Sequence, residues 1–289
     1  MNEESSLSLP QPISWLYRFS KFIRFSHTIF AAPFALGAMW IAADGLPEPR
    51  VLILILMCLL SARTLAMLFN RIVDWKWDRE NPRTQGRHQL LDYRSAVISS
   101  VIFAIAFVIC SAWINPLCGL LSPIALLLIC GYSFTKRFTV YCHLFLGLAL
   151  SAAPMGAWAA VTGNLSDPLP YCLAAGVLCW VFGFDLIYSL MDEKFDRDAG
   201  LFSFPSRFGQ KRTLQVSRIL HVMAYVLFGL FGWSAGLGWG YFVCWILMFP
   251  ALAYEHYLTY SGSIEQINTA FFKMNALVSA LFLLGVCLG

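Results

Sequence analysis

Two short acidic stretches hold the residue types most able to do chemistry in this chain. They read Asn70-Arg71-Ile72-Val73-Asp74-Trp75-Lys76-Trp77-Asp78 and Tyr188-Ser189-Leu190-Met191-Asp192-Glu193-Lys194-Phe195-Asp196. Each follows a hydrophobic segment, and each carries two aspartates four residues apart. On a helix such residues share one face, where like charges repel and cost stability. Neighbouring lipid adds to that cost. Two such pairs in one chain predict a cation site. Hard divalent cations on carboxylates commonly also hold substrate phosphates, so the chemistry expected is that of a diphosphate.

Basic loops stand beside both pairs. After the first comes Arg79-Glu80-Asn81-Pro82-Arg83-Thr84-Gln85-Gly86-Arg87-His88, in which Asn-Pro breaks the helix. Alone, such a loop reads as a positively charged membrane anchor. Beside clustered aspartates, Arg83 and Arg87 read as diphosphate ligands, because metal and guanidinium together meet what a diphosphate requires. Lys136 and Arg137 add two more cations in Tyr132-Ser133-Phe134-Thr135-Lys136-Arg137-Phe138-Thr139. The second motif runs on through Gly200, Ser203, Pro205, Arg207 and Gly209.

Two charges fall inside apolar segments. Arg63 lies seven residues before Asn70 and Asp185 seven before Asp192, each roughly 10 Å deeper along its helix. A charge at a helix centre in lipid costs about 2.5–3.5 kcal/mol. Such residues face a cavity or one another. A structural Arg63–Asp185 ion pair and a substrate-binding role are both open.

The elements that position these groups are membrane helices. Of 289 residues 59% are hydrophobic and only 12% charged, and mean hydropathy is +0.67, which fits a polytopic membrane protein rather than a soluble domain. The nine cysteines are scattered without a C-x-x-C pair. They read as small apolar side chains, neither disulfide framework nor zinc site. The net charge of +4 gives no sign of nucleic-acid binding. Residues 1–12 form a polar tail unlike a signal peptide, and residues 1–289 read as a single transmembrane domain.

Spans of about 20 apolar residues are predicted at 27–44, 51–69, 96–114, 116–133, 140–161, 169–190, 214–235, 238–257 and 267–288. With the N-terminus inside, the inner segments carry Arg18, Lys21 and Arg24; Arg63 to Arg94; Lys136 and Arg137; Lys194 to Arg218; and Lys273. The outer ones carry Arg50 alone. The positive-inside rule then predicts N-terminus in and C-terminus out, with both aspartate pairs cytoplasmic. Asp74 and Asp78 recur, by one common offset, as Asp192 and Asp196. Each pair ends the second helix of a four-helix set. The expected fold is all-α, with nine transmembrane helices around a central cavity: two pseudo-repeated sets of four, plus a ninth helix.

With these residues in view, the chain resembles the UbiA superfamily of intramembrane aromatic prenyltransferases along most of its length. Asn70, Asp74 and Asp78 match the first aspartate-rich motif, with Arg63, Arg83, Thr84 and Arg87 at the family's spacing. Asp185, Tyr188, Asp192, Asp196, Gly200, Ser203 and Gly209 match the second. Tyr132, Lys136, Arg137 and Thr139 match the loop between, and Arg24 resembles the first-helix arginine. There are departures. Arg71 stands where the family often has Asp, and His27-Thr28 where many members have Lys-Pro. The stretches Arg24 to Leu36 and Tyr132 to Gly163 resemble the branch acting on 4-hydroxybenzoate and, more closely, its relatives in the futalosine route to menaquinone.

The resemblance implies that Asp74, Asp78, Asp192 and Asp196, assisted by Asn70, hold Mg²⁺ bridged by the diphosphate of a polyprenyl donor. Arg83, Arg87, Lys136 and Arg137 stabilise the leaving diphosphate. An electron-rich aromatic acid attacks the resulting allylic carbocation, in respiratory quinone biosynthesis. The tail leaves through a lateral opening into the lipid bilayer. Arg24, Arg63, Asp185, Tyr132 and Tyr188 serve the acceptor. Arg24 is expected to take its carboxylate, with Asp185 neutralising Arg63 and the two shaping the cavity floor. Candidate acceptors are 4-hydroxybenzoate and 1,4-dihydroxy-6-naphthoate. The implied location is the bacterial inner (cytoplasmic) membrane. A membrane transporter is the rival reading, since pseudo-repeats and intramembrane charges also mark transporters.

Overall fold

A computed structural model describes residues 11–24, 30, 32–260 and 263–289. Most of the expected N-terminal tail, residues 1–10, lies outside the described residues, as do His27 and Thr28 and the start of the first predicted span. The described chain is helical throughout: α1 (Gln11–Phe22), α2 (Ala32–Ala42), α3 (Pro49–Val73), α4 (Trp75–Glu80), α5 (Tyr93–Ile114), α6 (Pro116–Thr135) and α7 (Cys142–Thr162), then α8 (Leu169–Ser189), α9 (Glu193–Asp198), α10 (Phe204–Ser234), α11 (Trp239–Tyr260), α12 (Ile264–Thr269) and α13 (Asn275–Leu288). Seven helical stretches among the described residues are long and apolar enough to cross a membrane. α2 is apolar but short, and α11 is long but carries Glu255 and His256. Trp113, Trp233 and Trp239 are exposed at the helix ends opposite the aspartates, where an interfacial aromatic belt belongs.

Local sequence explains the boundaries. Pro116 occupies the first turn of α6, where its missing N–H costs nothing, and Asn115 Oδ1 accepts from Cys118 N at 2.8 Å. The Asn115 amide donates to Ala159 O at 2.8 Å, fastening the α5–α6 hairpin to the end of α7. α10 starts ten residues before the predicted span at 214. A capping box between Ser203 and Ser206 begins a turn that Gly209, at φ +74°, kinks into the long helix. The extra turns are polar, so hydropathy alone misses them.

α8 sits at the centre, packed against α7 and α10. Small residues allow the approach: Gly176 faces Phe228, and Gly183 faces His221. In lipid, close packing replaces the hydrophobic drive between helices. An aromatic cluster joins α2, α8, α10 and α13, with Phe34 4.5 Å from Phe282, 5.2 Å from Phe228 and 4.9 Å from Trp180 between ring centroids. Nearby lies a buried polar network. Asn275 Nδ2 donates to Glu255 Oε1 at 2.8 Å, and the His221 and His256 rings meet at 3.0 Å. Asn275 follows one π-helical turn, Ala270–Met274.

The two motif helices require a correction. Neither aspartate pair lies on a continuous helix, because the helix breaks at the first aspartate of each. Asp74, at φ −89° and ψ 11°, separates α3 from α4. Asp192, at φ −107° and ψ 4°, ends a 3₁₀ turn (Leu190–Asp192) and precedes α9. Both adopt the sparsely populated bridge conformation that active-site residues often occupy. Asp78 N still bonds to Asp74 O at 2.8 Å, so the first pair keeps near-helical spacing across its hinge.

Candidate active site

A cavity of about 430 Å³ opens between α3, α5, α6, α7 and α8. Its mouth is polar and charged. Its depth is apolar, lined by residues such as Ile55, Leu59, Phe107, Leu121, Ala153 and Gly156. A Cβ on Gly156 would meet nothing within 4 Å, so that face of α7 borders open space.

At the mouth every motif aspartate meets a cation. Arg137 reaches Asp74 Oδ1 at 3.4 Å and is held by Val73 O at 2.6 Å, while Asn70 Nδ2 donates to Asp74 Oδ2 at 3.1 Å. Asp78 receives Arg87 on Oδ1 at 2.8 Å and Arg71 on Oδ2 at 3.4 Å. Arg83 grips both oxygens of Asp192, and Asn81 Nδ2 donates to Asp192 Oδ1 at 2.9 Å. Lys136 pairs with Asp196 at 2.6 Å. Gly200, at φ +69°, turns the chain after α9. Phe202 N then bonds to Lys136 O at 2.8 Å, which fastens the loop bearing Lys136 over Asp196.

The first motif's loop thus crosses to the second motif through Asn81 and Arg83, and the two aspartate pairs flank one mouth. Asp74, Asp78, Asp192, Arg83, Arg87 and Lys136 line the cavity. Asp196 and Arg137 stand behind it. Burial pushes the Asp74 carboxyl up to about 6, with Lys136 opposing the shift. Burial, reinforced by Arg71, pushes the Arg87 guanidinium down to about 9. On Lys136 burial is outweighed by the Asp196 carboxylate, so its ammonium is held above the ordinary range. A crowd of partly desolvated cations over a cavity favours an incoming anion.

The acceptor residues need a second correction. Arg63 and Asp185 both line the cavity, but they are not an ion pair. Asp185 instead pairs with His143 Nδ1 at 2.6 Å, and His143 Nε2 accepts weakly from Phe204 N at 3.4 Å. Arg63 has no acidic partner among the described residues, and its Nε is enclosed without a hydrogen bond. Arg24, in the left-handed region at φ +48°, donates to the Tyr188 hydroxyl, which also accepts from Arg83 at 3.0 Å. The Tyr188 ring packs 4.3 Å from Phe271. Tyr132 lines the cavity wall, its hydroxyl 3.5 Å from Ala66 O.

Sequence reasoning missed His143, Asn81 and the contacts of Arg71. A histidine in an apolar span is itself a functional-site signal. Asn81 was legible only as half of a helix-breaking Asn-Pro.

The donor set suits Mg²⁺. Among the described residues no three carboxylates, imidazoles or thiols converge on one point. Mg²⁺ requires only one or two carboxylates, the rest of its shell being water and substrate phosphate. Each motif offers two hard carboxylates. Asp196 is fully buried and relies on the Lys136 ammonium at 2.6 Å as its counter-charge, so a cation must stay beside it whenever Lys136 turns to another anion.

A model of the UbiA prenyltransferase family matches residues 31–277. The chain belongs to that family. This UbiA-family chain is therefore an enzyme and not the transporter of the rival reading. It is 29% identical over 251 residues, 86% of its length and 83% of the relative's, to a 4-hydroxybenzoate octaprenyltransferase of Saccharophagus degradans. It is 30% identical over 250 residues to one of Marinobacter nauticus, covering 85% and 84% of the two chains. Among solved structures, the apo UbiA homolog of Aeropyrum pernix superposes with a TM-score of 0.82 at 29% identity, covering 90% of this chain and 97% of that one. The UbiA homolog of Archaeoglobus fulgidus bound to GPP and Mg²⁺ shares the fold, with a TM-score of 0.68 at 18% identity, over 93% of this chain and 99% of that one.

Proposed function

We propose that this enzyme transfers a polyprenyl group from a polyprenyl diphosphate to the ring of an aromatic acid in respiratory quinone biosynthesis. The observation carrying this reading is the cavity itself: two aspartate motifs and their cations at the mouth, above an apolar shaft. The names of the relatives in Saccharophagus degradans and Marinobacter nauticus support it.

Asn70, Asp74, Asp78, Asp192 and Asp196 are the residues that would hold Mg²⁺, which when bound supplies Lewis-acid stabilisation of the departing diphosphate. Arg83, Arg87 and Lys136 turn from their carboxylates to the phosphate oxygens, and Arg137 supports Asp74 from behind. The bond between the prenyl C1 and the diphosphate oxygen breaks. The allylic cation is attacked by the ring, a C–C bond forms, and the ring proton passes to the released diphosphate. Apolar walls keep out the water that would quench the cation, and Phe107 and Phe184 offer it aromatic faces.

For the acceptor we revise the assignment drawn from sequence. Arg24 is engaged by Tyr188, and Asp185 by His143, so among the described residues Arg63 is the cavity cation left for a carboxylate. Tyr132, Tyr188 and Asp185 shape its surroundings. Both 4-hydroxybenzoate and 1,4-dihydroxy-6-naphthoate carry that carboxylate. Around this site we infer nine spans, α2 and α11 completing the seven long ones, in two pseudo-repeated sets of four plus a ninth. The like backbone at Asp74 and Asp192 supports the repeat. The basic loops support a cytoplasmic mouth, an inside N-terminus and an outside C-terminus in a bacterial inner membrane.

The test is incubation of membranes containing the protein with geranyl diphosphate, Mg²⁺ and a panel of aromatic acids. A prenylated aromatic acid is expected. Hydrolysis of the donor without any prenylated ring would sink the reading.

A further inference from the structure

Among the described residues four acidic side chains line the cavity, and three of them are motif aspartates. The fourth is Asp185, seven residues before Asp192 and roughly 10 Å deeper along α8. It is held from one side. His143, the second residue of α7, meets Asp185 Oδ2 through Nδ1 at 2.6 Å. The far side of the imidazole is closed by Phe204 N at the start of α10, 3.4 Å from Nε2. His143 is thus clamped between α8 and α10, its side chain 5% exposed against 20% for that of Asp185. Among the described residues no donor meets Asp185 Oδ1, which is left open to the cavity.

Arg63 stands at matching depth on α3 and lines the same cavity without bonding to Asp185. The deep cavity therefore presents a cation on one wall and an open carboxylate oxygen on another. An acid held by Arg63 brings its ring up to that oxygen. The contact is costly unless the ring carries a hydrogen-bond donor, because a desolvated carboxylate oxygen must be answered. A ring hydroxyl is such a donor, and both candidate acceptors carry one.

We propose that Asp185 reads the ring hydroxyl of the acceptor, and that His143 is the positioning residue that aims it. The inference rests on the aromatic-acid reading given above. The hydroxyl donates to Asp185 Oδ1 and keeps its proton, so the contact makes and breaks no covalent bond. A charge-assisted hydrogen bond of this kind is stronger than a neutral one. It also pushes electron density from the hydroxyl oxygen into the ring carbons beside it, which makes them better nucleophiles toward the allylic cation.

Calorimetric titration tests it on the purified full chain with Mg²⁺ and inorganic diphosphate, without prenyl donor. The probes are two matched pairs of acids: 4-hydroxybenzoate against benzoate, and 1,4-dihydroxy-6-naphthoate against 2-naphthoate. Wild type is expected to bind the hydroxylated member of a pair tighter by roughly ten- to a hundredfold, the span of a charge-assisted hydrogen bond. Asp185→Asn, which still accepts from His143, should lose most of that preference without weakening benzoate or 2-naphthoate. His143→Ala should shrink the preference too, and His143→Asn, whose amide donates in place of Nδ1, should keep it. Equal binding of both members of each pair by wild type would overturn the inference, a result independent of whether any variant folds, and would leave the aromatic-acid reading standing. So would a folded Asp185→Asn that keeps the wild-type ratio, since a merely structural role weakens both members alike. Binding of none of the four acids would remove the aromatic-acid reading and this inference together.

Discussion

Replacing Arg63 with Met separates substrate recognition from stability in one variant. Arg63 is a cavity-lining cation with no acidic partner among the described residues, and its Nε is enclosed without a hydrogen bond. If it binds the acceptor carboxylate, its removal deletes a charge-assisted hydrogen bond worth about 1.5–3 kcal/mol. That corresponds to roughly ten- to a hundredfold in acceptor affinity, at about 1.4 kcal/mol per factor of ten. The same change leaves no buried carboxylate stranded, since Asp185 keeps His143 at 2.6 Å. Met fills similar volume without a desolvated charge, so thermal stability should hold or rise. The assay is steady-state prenylation in detergent, varying acceptor at saturating donor and then the reverse, alongside a thermal melt. Acceptor KM should climb by the stated factor while donor KM stays put. An unchanged acceptor KM refutes the assignment. A rise seen for Arg24→Ala instead would return the carboxylate to Arg24, and a collapse in melting temperature would mean that Arg63 has a structural partner.

Asp74→Ala and Asp192→Ala should each abolish transfer while the protein remains folded and membrane-inserted. Turnover near wild type at saturating Mg²⁺ would contradict the two-motif reading. Lys136→Ala leaves the enclosed Asp196 without its counter-charge. Its cost should be roughly 2 kcal/mol, below the fully buried case because the lysine side chain is partly exposed. Melts with and without Mg²⁺ check this, since added cation should narrow the gap. Asn81→Ala removes the 2.9 Å bond from the first motif's loop to Asp192. Donor KM should rise several-fold with acceptor KM unchanged, and a purely acceptor-side effect would detach Asn81 from the diphosphate.

Hydropathy located the long helices because an apolar run of bilayer length rarely belongs to anything but a spanning segment. It missed the first turns of α10, which are polar and set by Ser203 and Gly209. The spacing of the four aspartates announced a cation site, yet it hid the hinge at Asp74 and Asp192, because a bridge-region residue costs only local geometry. Partner choice was least legible. Arg63 and Asp185 sit at matching depths on different helices, and depth says nothing about azimuth. His143, in the first turn of α7, turned out to face Asp185. Arg71 was visible as an odd residue in a motif, but its two contacts on Asp78 and Asn70 require the fold.

The polar network between α11 and α13 bears on how the protein is built in the membrane. α11 is synthesised before α13, and it is the long helix whose composition suits lipid least, because of Glu255 and His256. Until α13 arrives, the Glu255 carboxyl lacks the Asn275 amide that donates to it at 2.8 Å. Glu255 lies in the last third of α11, where an unmet carboxyl costs less than the about 2.5–3.5 kcal/mol of a helix centre in lipid. Docking of α13 therefore completes the α11 face: His221 of α10 lies 3.7 Å from one Glu255 oxygen, and the Asn275 amide reaches the other only once the last helix has packed.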